Sequence, residues 1–378
     1  MLPVFKAQID EDTQRAARAS LASGWLGMGA TVAEFEAELG GFLELPPERH
    51  VVAVSTGTAA LHLALLAAGV GPGDEVITPA FNNLGDFQAI AACGARPVFC
   101  DVDEGDLTID VESAAEMLGP KVKAVLPLHY MGEPCDERVY DLGLRVVEDA
   151  CHAVGSRWMG DGHLKKPIGA NGDLQCFSFD PIKTMTCIDG GAVVCDEEDA
   201  ATIRRARLLG VEQSKERQYL EVGRALASAD GSYDVAGQGF RYHLANLHAA
   251  IGLSQLRHLP EWIENRRQYA RRYTFVLEDL DGIVTPPDPA DASMFGYAVR
   301  VLGGMREALR GHLRAREIDS GVHWRPGHWL TWLRECRGAE RLPVSDRAGN
   351  QVTTLPLWSV MDDEDQARVV EAIVSFYA

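Results

Sequence analysis

Short apolar runs alternate with amphipathic segments between about residues 50 and 200. The runs are rich in Val, Ile, Phe and Cys, and segments such as AALHLALLAAG separate them. This alternation predicts βα units in a mostly parallel sheet that helices cover on both faces. The seven predicted strands are HVVAVS, DEVITPAF, RPVFCDV, KAVLPLHY, RVVEDA, LQCFSF and GAVVCD.

The pattern changes beyond residue 200. ATIRRARLLG is helical, and the polar, glycine-rich segment 212–239 is typical of a loop. Segment 246–280 predicts one long helix or a pair of helices broken at Pro260, and DEDQARVVEAIVSFYA predicts a closing helix. We therefore expect a large α/β domain over 1–245, including the N-terminal segment, and a smaller C-terminal α+β domain over 246–378.

Composition narrows the possible partners. The 378 residues include 36 basic and 55 acidic side chains, a net charge of −19, and no Lys/Arg block offsets this excess. Nucleic acids and anionic membranes are therefore not expected partners, although backbone amides and one arginine can still bind a small phosphate. No window approaches the ~18 apolar residues of a membrane span, and no export signal is visible. We expect a soluble, cytoplasmic protein whose eight cysteines are reduced.

Lys183 is placed unlike the other lysines. It follows the strand LQCFSF and precedes the turn IDGG, where the chain should pass the ligand-binding carboxyl edge of the sheet. Burial there would lower the pKa of the amine and make it a nucleophile, as a Schiff-base lysine requires. The alternative is an exposed loop lysine. The lysines in polar or loop-like surroundings are Lys6, Lys121, Lys123, Lys165, Lys166 and Lys215.

The segment AVSTGTAALHLAL ends a strand in small polar residues and opens a helix. Free backbone N–H groups at a helix start, the hydroxyls of Thr56 and Thr58, and the close approach that Gly57 permits form a site suited to a phosphate. An ordinary Ser/Thr N-cap is the alternative explanation of the same residues.

A second strand end, VVEDACHAVG, carries Glu148, Asp149 and His152. A carboxylate there could hold the proton of a pyridinium ring and keep the ring electron-poor, as pyridoxal 5′-phosphate (PLP) chemistry requires. The three-residue spacing would place His152 near the same ring. The alternatives are an N-cap for Asp149 and a structural role for half-buried His152. A metal site of Asp149, His152 and His129 has no support from ligand spacing, so no metal is expected.

These features occur together in one known family. The chain resembles the DegT/StrS sugar aminotransferases, PLP-dependent enzymes of fold type I, over nearly its whole length. The matching segments are SGWLGMG, STGTAALHLAL, GDEVITPAF, GARPVFCDVD, VVEDACHAVGS, FSFDPIKTMTCIDGG, NLHAAIGLSQL, VHWRPGH and LPLWSVMDDED. The resemblance implies a PLP-binding α/β domain with a mostly parallel seven-stranded sheet, and a homodimer with the active site at the subunit interface.

The resemblance also implies a role for each matching residue. Lys183 would bind PLP covalently and shuttle the proton, and Asp149 would pair with the pyridine nitrogen. His152 occupies a position where family members have Gln or His. The residues that would hold the cofactor phosphate are Gly57, Thr58 and Ser178.

Two positions depart from the family pattern. Asn83 stands where the family usually has an aromatic residue that stacks on the cofactor, a contact worth about 1 kcal/mol, so His152 or another ring would stack instead. In GFRYHLANLHAAIG, Arg241 replaces an asparagine that reaches the cofactor phosphate of the neighbouring subunit, and His243 replaces an arginine. Arg241 can still bind a phosphate or can indicate a different substrate, and His243 can be structural.

The segment GVHWRPGHW matches a family region near the substrate pocket. Trp25 and Trp324 could line a sugar or nucleotide site, with His323 and His328 beside it. Aromatic side chains at such spacing more often belong to a core.

The resemblance implies transfer of an amino group from L-glutamate to a nucleotide-linked keto sugar, a dTDP-linked 3- or 4-keto-6-deoxyhexose, in amino-sugar biosynthesis of secondary metabolism. A cyclitol or another non-nucleotide ketone is an alternative acceptor. A PLP-dependent dehydratase of the same family is a second alternative, although the sugar 3-dehydrases have histidine in place of Lys183. A non-catalytic sensor with this fold is the third, and it would release no 2-oxoglutarate.

Overall fold

A computed structural model describes residues 1–158, 165–212, 234–288 and 290–378. The larger part of the molecule contains α1 (Glu11–Ser23), α2 (Ala30–Phe42), β1 (His50–Val54), α3 (Gly57–Ala67), β2 (Glu75–Pro79), α4 (Leu84–Ala92), β3 (Arg96–Cys100), α5 (Val111–Glu116), β4 (Val122–Val125), β5 (Arg145–Asp149), β6 (Leu174–Ser178), β7 (Gly191–Cys195) and α6 (Glu197–Ala206). The following elements are α7 (Asn246–Leu277), β8 (Ile283–Val284), β9 (Tyr297–Val301), α8 (Arg306–Ala315), α9 (Pro343–Gln351), β10 (Val352–Leu355) and α10 (Asp363–Tyr377). Most of the predicted loop 212–239 lies outside the described residues.

The seven predicted strands form one sheet in the order β1-β7-β6-β5-β4-β2-β3, which confirms the predicted α/β fold. All neighbouring pairs are parallel except those of β7, which runs antiparallel to both β1 and β6. Gly191, the first residue of β7, therefore lies opposite Val54 on one side and Ser178 on the other. This arrangement brings the carboxyl ends of β1, β6 and β5 to one edge of the sheet.

Helices cover both faces of this sheet because the strands carry apolar side chains on both faces. On one face, Val51, Ala53 and Val146 pack with side chains of α2 and α7. On the other face, Val52 and Val147 pack with side chains of α3, α4 and α6. The sheet is therefore buried in its middle, and the ends of its strands are where polar side chains can meet a ligand.

Helix α7 continues through Pro260, so the structure has the one long helix that was predicted and not the alternative pair broken at this residue. Proline removes one helical hydrogen bond and crowds the preceding turn, at a cost of about 3 kcal/mol. The neighbouring side chains of Leu259, Trp262 and Ile263 are buried, whereas Pro260 faces solvent. Burial of several large apolar side chains exceeds that cost, since each contributes about 1.5–3 kcal/mol.

The C-terminal part has its own three-stranded antiparallel sheet in the order β10-β9-β8. Helix α7 contributes Leu256 to the core of the large sheet and Tyr273 to the C-terminal core. Leu2 also packs in the C-terminal core. Helix α7 and the N-terminal residue Leu2 thus contribute to a core on the other side of the predicted domain boundary at 245/246. This boundary stays a prediction.

Two further expectations concern the whole chain. All eight cysteines are free thiols and six of them are buried, in agreement with the expected reduced state. None of the described helices combines the length and the apolar character that crossing a membrane requires.

Candidate active site

The N-terminus of α3 opens onto the carboxyl edge of the sheet. Thr56 is its N-cap, because the Thr56 hydroxyl accepts a hydrogen bond from the backbone N–H of Ala59 at 2.9 Å. A Cβ on Gly57 would lie 2.7 Å from the Cβ of Ser178, so only glycine lets α3 and β6 approach this closely. The first backbone N–H groups of a helix have no acceptor within it and can bind an anion. The N-cap and phosphate-site predictions therefore describe the same turn.

Asp149 ends β5 and is only 2% exposed. Its Oδ1 accepts a hydrogen bond from the backbone N–H of Cys151 at 2.9 Å. This local bond orients the carboxylate within a turn. Asp149 does not cap a helix, which was the alternative prediction. The carboxylate therefore has a fixed place at the sheet edge.

His152 packs between aromatic rings. Its imidazole stacks on Phe295 with ring centroids 4.1 Å apart and lies 5.9 Å from the ring of Trp324. Nδ1 is buried and has no hydrogen-bond partner among the described residues. Burial first, and then the nearby charge of Lys183, hold the pKa of His152 well below its usual value. The ring is therefore a neutral, flat surface, with a nitrogen left for a ligand.

Lys183 lies in the turn between β6 and β7. Its backbone N–H donates to the carbonyl of Asp180 at 3.0 Å, and the backbone N–H of Cys187 donates to the carbonyl of Phe179 at 2.9 Å. The side chain is half-buried rather than enclosed, and Nζ lies 4.5 Å from the ring centroid of Phe295. The amine thus faces a cavity, as a nucleophile must.

These elements surround one cavity of about 470 Å³. Its volume lies within the roughly 300–1,000 Å³ of small-ligand pockets. The predicted site residues that line it are Gly57, Thr58, Asn83, Asp149, His152, Ser178, Lys183 and Trp324. Eight of the predicted site residues, from five separate segments of the chain, therefore line the same pocket.

Asn83 adopts a structural role at the edge of the cavity. It is the N-cap of α4, and its Oδ1 accepts a hydrogen bond from the backbone N–H of Gly85 at 2.7 Å. It supplies no aromatic face. The rings near this pocket belong instead to His152, Phe295 and Trp324.

Two other predicted residues, His323 and Trp25, do not line the cavity. Nδ1 of His323 is 2.8 Å from the hydroxyl of Thr354, and the His323 ring contacts that of Trp324. Burial, followed by the charge of Lys183, lowers the pKa of His323 to about 4. Trp25 is half-buried, and its indole N–H donates to the carbonyl of Met28 at 3.4 Å.

Three predicted residues lie away from the cavity walls. His328 bonds to Asp346 at 2.9 Å. Arg241 is exposed and bridges to Leu208 through its backbone. His243 pairs with Val54 through its backbone, and its pKa is lowered by burial and by Arg241.

No metal site forms in the described ranges, where no group of three His, Cys, Asp or Glu side chains is arranged to hold an ion. Of the residues considered for one, His129 bonds to Glu148 at 2.8 Å. Tyr140 and Gln175 also donate hydrogen bonds to this buried carboxylate. Glu148 and His129 therefore belong to a structural network behind the site.

Sequence reasoning missed several residues at the site, among them Asp86 and Phe295. Asp86 lines the cavity from the first turn of α4, where an acidic residue is ordinary and gave no signal. Phe295 stacks on His152 from a distant segment, and no periodic pattern marks it.

The sheet and this cavity define the class of the protein: a PLP-dependent transferase of fold type I. The chain belongs to the DegT/DnrJ/EryC1/StrS aminotransferase family, whose model matches residues 7–374. It is accordingly a PLP-dependent sugar aminotransferase.

Three solved structures are similar to this chain over nearly its whole length. TlmJ, an aminotransferase from Streptoalloteichus hindustanus, is 34% identical with a TM-score of 0.88, and 100% of each chain is covered. CalS13, a sugar aminotransferase from Micromonospora echinospora, is 31% identical with a TM-score of 0.88, covering 99% of this chain and 100% of CalS13. DesV from S. venezuelae, solved with a ketimine intermediate, is 31% identical with a TM-score of 0.85, covering 97% of this chain and 94% of DesV.

The residues at the cavity fit PLP. The turn of Gly57 and Thr58, beside the Ser178 hydroxyl, could hold the phosphate. The carboxylate of Asp149 could hold a pyridine N–H, and the unpartnered Nδ1 of His152 is free for the ring oxygen. The chemical groups that the cofactor needs therefore line one cavity.

Proposed function

We propose that this chain transfers an amino group from L-glutamate to a nucleotide-linked 3- or 4-keto-6-deoxyhexose, releasing 2-oxoglutarate and an amino sugar. The observation that carries the proposal is the convergence of the Lys183 amine, the Asp149 carboxylate and the α3 N-terminus on one cavity. PLP, when bound, supplies an electron sink for the charge that develops at the amino-acid α-carbon.

Each residue has a separate task in this proposal. Lys183 takes the α-proton from the amino donor and returns it on the cofactor side, since its amine faces the cavity. Asp149 holds a proton on the pyridine nitrogen. His152 lines the cavity as a neutral imidazole and contributes no charge to it. The first turn of α3 and Ser178 fix the phosphate and hence the register of the ring.

The sugar side is proposed from the family and from one contact. Trp324 lines the cavity and its ring lies close to His152, so it offers an apolar face to the acceptor sugar. CalS13, which is similar over the whole chain, is a sugar aminotransferase. The dTDP carrier follows from the family resemblance.

We further propose that the enzyme is a cytoplasmic homodimer. Arg241 is exposed and does not line the cavity of its own subunit. An exposed guanidinium is able to bind the cofactor phosphate of a neighbouring subunit bidentately. Sedimentation analysis would test the dimer, and weakened cofactor retention in Arg241→Ala would test the contact.

The decisive experiment incubates the PLP-loaded protein with L-glutamate and, in separate reactions, with cyclitol ketones or with a panel of dTDP-linked 3-keto and 4-keto sugars. The proposal expects equal amounts of 2-oxoglutarate and amino sugar with one of them. Release of 2-oxoglutarate with cyclitol ketones alone would overturn the nucleotide-sugar assignment. Conversion of a sugar without 2-oxoglutarate release would indicate dehydration, and binding without any turnover would indicate a sensor.

A further inference from the structure

A second carboxyl group faces the cavity beside Asp149. Asp86 is the third residue of α4, its side chain is fully buried, and it lines the same cavity as Asp149 and Lys183. Neither of its oxygens accepts a hydrogen bond from an N–H or hydroxyl donor within the part of the chain that the structure describes. A buried carboxylate without a partner is costly, so its protonation state needs an explanation.

The groups around Asp86 come from several elements. Asp149 faces it from the end of β5, Lys183 from the turn after β6, and Asn82 from the approach to α4. The Cys176 thiol of β6 also lies close to it. His152 borders the same cavity as a neutral ring. Among these groups, Asp149 has the largest effect on Asp86, and it is another acid.

Two adjacent carboxylates can only repel each other, because neither has a proton to donate. One proton on the pair converts repulsion into an O–H···O⁻ hydrogen bond, which is a strong one in a buried site. Burial is the largest cause that raises the pKa of Asp86 well above its usual value. The charge of Asp149 and a hydrogen bond between the two acids act in the same direction. Asn82 and Lys183 act in the opposite direction without reversing it.

Asp149 is the member of the pair that should stay ionised. Its Oδ1 already accepts the backbone N–H of Cys151, and a hydrogen bond from a donor favours the charged form of a carboxylate. Asp86 has no such bond among the described residues. The proton therefore belongs on Asp86.

We propose that Asp86 is a neutral carboxylic acid that donates a hydrogen bond to Asp149 and holds that carboxylate in position for the pyridine nitrogen of the cofactor. Asp86 is then a positioning residue that acts through Asp149. Its proton stays in place throughout turnover. This inference rests on the proposed role of Asp149 toward PLP.

The first test uses two substitutions and measures PLP affinity by equilibrium dialysis. Asp86→Asn keeps an N–H donor of the same size, and we expect its dissociation constant to stay within about threefold of the wild-type value. Asp86→Leu keeps the branched shape but has no donor, and we expect PLP to bind about tenfold more weakly, as the loss of one hydrogen bond to a charged group predicts. Equal affinity of the leucine variant and the wild type would overturn the proposal. So would an equal loss in both variants.

The second test needs no cofactor. A carboxyl group whose pKa is higher in the folded than in the unfolded state gives stability that is present in acid and is lost as the pH rises. Urea unfolding of the PLP-free wild type and of Asp86→Asn should therefore diverge as the pH rises above about 4, the ordinary pKa of an aspartate, with the asparagine variant gaining relative to the wild type. A difference that does not change with pH would overturn the neutral-acid assignment.

The two tests separate the inference from the proposed function. If the wild type binds no PLP, the role of Asp149 toward the cofactor fails, whereas the pH test still reports on Asp86. If the wild type binds PLP and both variants match it, only the role of Asp86 fails.

Discussion

The two sides of the cavity differ in how their residues are held. The cofactor side is built from the ends of β1, β5 and β6, and every residue predicted for it from the family motifs lines the cavity, except Arg241. On the sugar side, segment 321–329 lies outside the large sheet, and of its three predicted residues only Trp324 lines the cavity. Strand ends of one sheet converge because the hydrogen-bond register leaves them no alternative. Residues in a connecting segment have no such constraint.

Sequence motifs therefore predict site residues better at strand ends than in connecting segments. Asp149 and Ser178 are tied to strand registers that run through Cys176 and Gly191, and Gly57 begins the helix that follows β1. His328 bonds instead to Asp346, away from the cavity. Substitutions on the cofactor side should therefore affect both half-reactions, and those on the sugar side should affect the acceptor alone.

The largest effect is expected from Lys183→Ala. Loss of the amine removes both the covalent attachment and the proton carrier, so turnover should fall by about 10²–10⁴-fold or more. Lys121→Ala, at an exposed lysine before β4, is the matched control and should retain full activity. Steady-state release of 2-oxoglutarate measures both. Near-normal turnover by the Lys183 variant would remove the basis of the mechanism.

Asp149→Asn comes next. The substitution preserves shape but removes the charge that keeps the pyridine nitrogen protonated, so kcat should fall about 10–10²-fold, the value of a hydrogen bond between charged groups. Both half-reactions should slow together, as stopped-flow absorbance would show. Asp141→Asn, at an exposed carboxylate, serves as the control. An unchanged kcat in Asp149→Asn would mean that another group protonates the ring.

Gly57→Ala tests the close approach of α3 and β6. The added Cβ would lie 2.7 Å from the Ser178 Cβ, so the phosphate turn must shift, at a cost of about 1–3 kcal/mol in stability and a loss of PLP affinity. Gly311→Ala lies in α8 with nothing within 4 Å of its added Cβ, and it should stabilise the protein by up to about 1 kcal/mol. Thermal unfolding and dialysis measure the two effects. Unaltered PLP affinity in Gly57→Ala would contradict the assignment of this turn to the phosphate.

The sugar side should respond selectively. Trp324→Leu should raise the KM for the keto sugar about fivefold to tenfold through the loss of an aromatic face, with little change in the KM for glutamate. His328→Asn should change neither constant, since His328 pairs with Asp346 outside the cavity. Initial rates with each substrate varied in turn provide the comparison. An equal rise in both KM values for Trp324→Leu would place this tryptophan on the cofactor side.

The smallest effect concerns acid stability. The pKa of His323 is about 4 when folded and 6.5 for the free side chain, so the unfolded chain binds the proton first and stability falls as the pH drops below about 6.5. His323→Asn should reduce this loss by about 1 kcal/mol at pH 5.5. Urea unfolding at pH 7.5 and pH 5.5 measures it. An identical acid loss in the variant would show that His323 gains protons freely in the folded state.

Much of this structure was predictable from local signals. Alternating apolar runs gave the seven strands, and small polar residues at their ends gave most of the cofactor wall. The sequence left open whether the helix breaks at Pro260, because tertiary packing decides whether one missing helical hydrogen bond is tolerated. Asp86 was not predicted because an acidic residue in the first turn of a helix is ordinary. Only the fold brings it to the cavity that Asp149 lines.

The central claim is that Lys183 and Asp149 form a site at which glutamate gives up its amino group. It is tested most directly by the visible absorbance of the PLP-loaded protein before and after addition of L-glutamate, with 2-oxoglutarate measured in the same sample. The account predicts loss of the band of the lysine-bound cofactor and about one 2-oxoglutarate per site. An unchanged band without 2-oxoglutarate would contradict it.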